Sequence, residues 1–230
     1  MSETRPDETH GEGLPVRVVL RPLASPLPLG FFGLAGATLV VAGLQLGWVD
    51  VDESSGVALC ILAFTVPLQF TASLFSFLAR DAVAATGMGL LSGIWAAVAV
   101  VTLTSEPGTT SEALGLFLLV AGVAMWAPAA AAARSKLVPA TVLAVAGVRF
   151  LLTAVFQLSA NEAWEDAAGV VGVLLAGLAI YAAYATLLED TQGRSLLPLG
   201  RRAHIGVPRA GEVDQPRPGL AGEPGVRRQL

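Results

Sequence analysis

The sequence predicts an all-α integral membrane protein: six transmembrane helices in a compact bundle, with both termini cytoplasmic. Three observations predict it. Only 14% of the 230 residues are charged, against roughly 25% in an average soluble domain. Six stretches, 30–49, 56–78, 82–103, 113–133, 137–158 and 167–188, hold a single charge between them, Arg149, while every other charged residue lies outside. Each stretch is 20 to 23 residues long, the length a helix needs to cross about 30 Å of hydrocarbon. A 23.6 kDa soluble domain has no volume in which to bury six such helices on every side.

The third observation is the sorting of basic residues, which sets orientation. The polar N-terminal tail, 1–24, carries Arg5, Arg17 and Arg21. The first span follows Pro26 and Pro28, and Gly43 and Gly47 share a face near its end. The next loop is acidic (Asp50, Asp52, Glu53), and the second span contains Cys60 and Pro67. Arg80 precedes the third span, whose Ala85, Gly89, Gly93 and Ala97 form a small-residue stripe suited to close helix packing. Glu106 and Glu112 lead into the fourth span, and Arg134 and Lys136 into the fifth. Glu162, Glu165 and Asp166 precede the sixth, which carries the stripe Ala168, Gly172 and Ala176. The tail from 191 to 230 is rich in Pro, Gly and Arg, and disorder is expected after about residue 200. All basic residues outside the spans thus fall on one side, which places both tails in the cytoplasm and the protein in the inner membrane.

Several function classes are excluded. The first apolar run is too long for a cleaved signal segment, and the lone cysteine permits no disulfide or thiolate cluster. No span contains Asp, Glu, His or Lys, so a carboxylate dyad, a serine–histidine pair or a metal centre has no material within the membrane. Ser92 has no base to activate it. Neither a cofactor nor nucleic-acid binding is indicated, and the chain does not read as an enzyme. Transport, conduction or a structural role remains.

Two polar stripes stand out. Thr65, Gln69, Ser73 and Ser76 share one face of the second span beside Pro67, whose ring loosens the backbone ladder. Arg149, Thr153 and Gln157 step by four along the fifth. An arginine near mid-membrane costs about 2.5–3.5 kcal/mol on insertion scales, and no carboxylate lies in any span to pair with it. Its counter-charge is then a set of carbonyls, water in a pore or an anionic substrate. The expectation is a pore-facing Arg149 that attracts anions, with Gln69 and Thr153 as further polar contacts.

Specific motifs add a resemblance. The run Ser25-Pro26-Leu27-Pro28-Leu29-Gly30 resembles the Asn-Pro-x-Pro-Leu-Gly signature of the acetate uptake transporter family, also called the succinate–acetate permease or YaaH family. Gln69 to Phe77 is similar to that family's Gln-Phe-x-Ala-Gly-Met-x-Glu-Phe segment and leads on to Ala85-Thr86 and Trp95. Ala179-Ile180-Tyr181 with Gly193 to Gly200 resembles its closing pattern. The likeness spans about residues 25 to 200 in order.

The resemblance implies a six-helix protomer in a homo-oligomeric ring, commonly a hexamer, that moves acetate, succinate or similar small organic anions, with proton linkage an open possibility. It also implies an apolar narrowing with polar sites on either side, the first-helix N–H groups opened by the prolines forming an anion site at the cytoplasmic mouth. The family's narrowing residues, Phe, Tyr and Leu, align with Leu34, Leu91 and Ala146, so aromatic bulk is lost. Ser25 replaces the family asparagine and keeps a capping oxygen, and Ser76 replaces an acidic residue. A divergent carboxylate transporter or channel is expected. Alternatives are an ammonium or other small-solute permease, which Arg149 disfavours, and a membrane scaffold that transports nothing.

Overall fold

The computed structural model describes residues 23–134, 136–192 and 196–200. The tails at 1–22 and 201–230, including the expected disorder and all of their arginines, lie outside the described residues. Six helices are long and apolar enough to cross a membrane: α1 Leu27–Gln45, α2 Val51–Leu78, α3 Ala82–Thr104, α4 Glu112–Ala132, α5 Leu137–Ser159 and α6 Glu162–Gln192. The protein is a multi-pass membrane protein, and its described residues contain no β-strand.

Each helix packs against the next in sequence, and α6 returns to pack extensively on α1, so the six close into a ring. Short connections make neighbours antiparallel. The alternate helices α1, α3 and α5 therefore run in the same direction, and all three supply fully buried side chains to the centre of the bundle.

Local chemistry explains the boundaries. The first helix stops at Gln45, short of the predicted 49, because Gly47 adopts φ +67° and closes the end. Trp48 N–H bonds to Gly43 O and Gly47 N–H to Leu44 O, a pairing that needs a left-handed residue at this position. Gly47 thus turns the chain; it does not extend a packing stripe with Gly43. The α2 end repeats the pattern, with Asp81 N–H on Ser76 O and Arg80 N–H on Phe77 O, although Arg80 must take φ 60° without glycine's freedom. Asp81 then caps α3 through Ala84 N–H, and Ser111 caps α4 through Leu114 N–H.

The second helix is not uniform. Residues Ile61–Thr65 form a π-helical turn just before Pro67. Proline lacks the N–H and crowds the carbonyl four residues back, and a wider turn relieves both. The loosened ladder expected from Pro67 is therefore present, displaced one turn toward the N-terminus.

A close backbone-to-backbone contact joins α4 to α5, at two glycines absent from the small-residue stripes noticed in the sequence. A Cβ on Gly122 would lie 2.9 Å from Gly147 O, and one on Gly147 would lie 2.8 Å from Gly122 O. Helix α6 runs from Glu162 to Gln192, beyond both ends of the expected 167–188, and the chain then docks back on the bundle. Leu137 and Val138 N–H donate to Gly200 O and Leu199 O, Leu199 is buried, and Tyr181 Oη donates to Pro198 O at 2.9 Å.

Candidate functional site

Leu34 on α1, Leu91 on α3 and Ala146 on α5 are each fully buried and belong to one apolar cluster with Phe31, Met88 and Phe150. One helical turn further along these parallel helices stand Thr38, Trp95 and Arg149. Steps of three or four residues return to the same helix face about 5 Å along the axis. The bundle interior therefore carries an apolar layer with a polar layer stacked directly upon it.

Arg149 is the centre of the polar layer. Its side chain is only 1% exposed. Nη2 donates to Thr38 O at 3.4 Å and to Gln45 Oε1 at 3.3 Å, and Cζ lies 5.2 Å from the centre of the Trp95 ring. A neutral carbonyl, a neutral amide and a π face are thus what hold the cation. None carries the negative charge that a desolvated guanidinium ordinarily requires. Trp95 is braced edge-on by Phe150, with ring centres 5.5 Å apart.

The guanidinium fits because α6 presents glycine beside it. A Cβ on Gly172 would lie 2.8 Å from Arg149 Nε and 2.9 Å from Ala42 Cβ. The residue predicted as part of a packing stripe is the one that clears space for the arginine. Thr153, one turn beyond, donates to Arg149 O at 3.1 Å and accepts from Gln45 Nε2 at 3.5 Å. Gln157, the last member of the predicted stripe, serves elsewhere: its Oε1 accepts from Ser111 N–H at 2.7 Å and fixes the loop before α4.

The α2 stripe divides in the same way. Thr65 Oγ1 donates to Gly33 O on α1, Ser73 Oγ to Ala85 O on α3, and Ser76 Oγ back to Ala72 O. These are interhelical and intrahelical fastenings. Gln69 differs. Fully buried, its Nε2 reaches Gly30 O at 3.5 Å while Oε1 has no partner. Gly30 lies one turn before Leu34, so Gln69 flanks the apolar layer on the side opposite Arg149.

On Gln69's side, a cavity of about 90 Å³ opens among Phe31, Met88 and Leu143, with Asp81 and Lys136 at its margin. The motif around the two prolines lies at this end. Pro26 precedes α1 without a side-chain cap, Pro28 is buried, Leu29 is exposed, and a Cβ on Gly30 would collide with Met88 Sδ. Ser25 contributes its N–H, which donates to Asp190 Oδ2 at 3.1 Å, and makes no capping bond through its hydroxyl. A carboxylate of the protein itself thus occupies this donor of the expected anion site at the helix start.

A family model of the GPR1/FUN34/yaaH family matches residues 12–199. The chain belongs to the GPR1/FUN34/yaaH family. It is 26% identical to the succinate-acetate/proton symporter SatP of Escherichia coli K12 over 183 residues, 77% of this chain and 96% of the relative. The Shigella flexneri protein of the same name matches equally. A solved structure described as the bacterial acetate channel SatP superposes with a TM-score of 0.70 at 24% identity, covering 77% of this chain and 99% of that one. In this chain the motif residues have structural roles: a Cβ on Gly30 would meet Met88, Trp95 lies against Arg149, and Tyr181 bonds to Pro198 O.

Thr38 and Gln45 were missed in the sequence. Their seven-residue spacing in an apolar helix places both on one face, a signal that was present.

Proposed function

We propose that the protein is a transporter or channel for small carboxylates such as acetate or succinate, resident in the inner membrane with both tails cytoplasmic. Its substrate path is proposed to run from the Lys136 cavity past Gln69, through the Leu34, Leu91 and Ala146 layer, to Arg149 and Thr153. The observation that carries the reading is the buried Arg149, whose contacts among the described residues are neutral, within a closed six-helix ring. An apolar layer gates by excluding water, and a cation beyond it favours an anion over ammonium or any other cation. The names of the SatP relatives, a succinate-acetate/proton symporter and an acetate channel, support the same substrate class.

A homo-oligomeric ring, in keeping with the family resemblance, and a role without catalysis complete the proposal. The exposed Phe64, Phe70, Phe75 and Phe77 of α2 suit lipid or a neighbouring copy. Uptake of labelled acetate into liposomes containing the purified protein tests the reading. Saturable uptake well above that of empty liposomes, and strongly reduced by Arg149→Ala, is expected. Equal inertness of wild type and variant toward every C1 to C4 acid, with another solute moving, would overturn it.

A further inference from the structure

Four of the six membrane helices begin with a side chain of their own that takes up a free N–H group. Asp50 accepts from Asp52 N–H at the start of α2, Asp81 from Ala84 at α3, Ser111 from Leu114 at α4 and Asn161 from Ala163 at α6. The starts of α1 and α5 have no side-chain cap. A helix start leaves N–H groups without an intrahelical partner, so these two depend on another part of the chain. Both are met by the same piece, the end of α6. Asp190 Oδ2 accepts from Ser25 N–H at 3.1 Å, just ahead of α1. Gly200 O and Leu199 O accept from the first two N–H groups of α5, on Leu137 and Val138, at 3.3 and 3.2 Å. Tyr181 Oη ties this segment back to α6 through Pro198 O at 2.9 Å, and Leu199 is buried beneath it.

The same first turns wall the cavity of about 90 Å³: Leu27 from α1, Asp81, Val83 and Ala84 from α3, and Lys136 and Pro139 from α5. The α3 wall is capped from within its own sequence. The α1 and α5 walls are held from outside, by one segment. We infer that the end of α6, through Asp190, Tyr181 and residues 196–200, is a clasp that sets how far this cavity opens by holding the first turns of α1 and α5. The inference goes beyond the transport reading, because it concerns the opening of the cavity whatever solute enters. Its chemistry suits a part that releases. The bonds at Ser25 and Tyr181 are exposed, and Leu196 and Pro198 stay exposed beside the buried Leu199. Contacts of this kind, few and at the edge of a bundle, open locally while the core stays folded. Gly200 takes φ +63°, and a Cβ there would lie 2.7 Å from Leu137 Cβ, so the segment reaches the α5 backbone because no side chain intervenes.

The test reads the cavity directly. In full-length protein with Cys60→Ser, Met88→Cys places one thiol on the cavity lining, where Met88 is 1% exposed. Its rate of labelling by a small water-soluble thiol reagent is measured in detergent, well below the unfolding temperature. Trp48→Cys, exposed in the turn after α1 at the opposite ends of these helices, is the control thiol. Tyr181→Phe and Asp190→Ala each remove one clasp bond. Each is expected to raise the Met88→Cys rate about fivefold, the factor for loss of one ordinary hydrogen bond, with Trp48→Cys unchanged. Leu199→Asp is expected to raise it further. If Leu199→Asp fails to fold, Tyr181→Phe, which loses a single hydroxyl, decides. An unchanged Met88→Cys rate in Tyr181→Phe and Asp190→Ala overturns the clasp, and so does an equal rise at both thiols, which would mean general loosening. Acetate flux into liposomes, measured on the same clasp variants without the reporter thiols, keeps the two readings apart. Faster labelling with unaltered flux leaves the clasp standing and overturns a substrate path through this cavity. Altered flux with unaltered labelling overturns the clasp and leaves transport standing.

Discussion

Gly172 and Arg149 lie so close that a single added Cβ on the glycine would stand 2.8 Å from the guanidinium Nε. The arginine is thus held from α1 by carbonyl and amide acceptors, from α3 by an aromatic face, and from α6 by the absence of a side chain. Its position is imposed by three helices, none of which offers it a carboxylate.

The first prediction follows from that packing. Gly172→Ala forces either the guanidinium or Ala42 to yield, and overpacking of this kind costs about 1–3 kcal/mol. Acetate uptake by reconstituted protein is expected to fall at least tenfold. Gly177→Ala on the same helix is the control, since its Cβ would meet nothing within 4 Å. That variant is expected to transport normally. Equal losses in both would show that α6 tolerates no added methyl, and that Arg149 is not the cause.

Arg149 should also burden the fold. A buried cation without an ionic partner is a cost, and replacing buried charges by apolar groups of similar volume often stabilises by 1–4 kcal/mol. Arg149→Met is therefore expected to unfold at a higher temperature than wild type in buffer free of small carboxylates. A stabilised but non-transporting variant is the expected pairing. A strongly destabilised one would mean that the hydrogen bonds to Thr38 O and Gln45 Oε1 hold the bundle together.

The membrane segments were legible because an apolar 20-residue run has one physical outcome, and all six appear as helices. The oddity of Arg149 was legible for the same reason. Its surroundings were not, because they come from three other helices: sequence spacing relates Arg149 to Thr153 and Gln157, but not to Thr38, Trp95 or Gly172. Spacing even misled at Gln157, which shares the stripe yet bonds to Ser111 in a loop. Gly47 failed differently. Its step of four from Gly43 suits packing, but a glycine near a helix end equally suits the left-handed closing turn it makes.

The α4–α5 contact yields a stability prediction independent of transport. Gly122 and Gly147 face each other's backbone carbonyls, so neither has room for a side chain. Gly122→Leu is expected to separate the two helices and lower the unfolding temperature sharply, with a cost at or above the usual 1–3 kcal/mol of overpacking. Ala124→Leu, on the same helix at a half-buried position, is the comparison and should change little. Thermal unfolding of both purified variants in detergent checks the difference.

The apolar layer gives the last prediction, which turns on size. Leu34 and Leu91 fill the interior where Ala146 contributes a single methyl, so the proposed narrowing is asymmetric and should respond in opposite directions to opposite changes. Ala146→Leu adds three carbons at the thinnest side and is expected to block acetate uptake while Arg149 still binds the anion. Leu34→Ala opens the same layer and is expected to admit bulkier monocarboxylates such as butyrate, with acetate uptake at least preserved. The cavity left behind costs about 2–5 kcal/mol, so uptake must be normalised to folded protein recovered after reconstitution. The decisive comparison is selectivity, because lost stability lowers all fluxes together. A rise in butyrate relative to acetate in Leu34→Ala, with loss of both in Ala146→Leu, is what a narrowing at this layer requires. Unchanged ratios in both variants would place the narrowing elsewhere in the bundle.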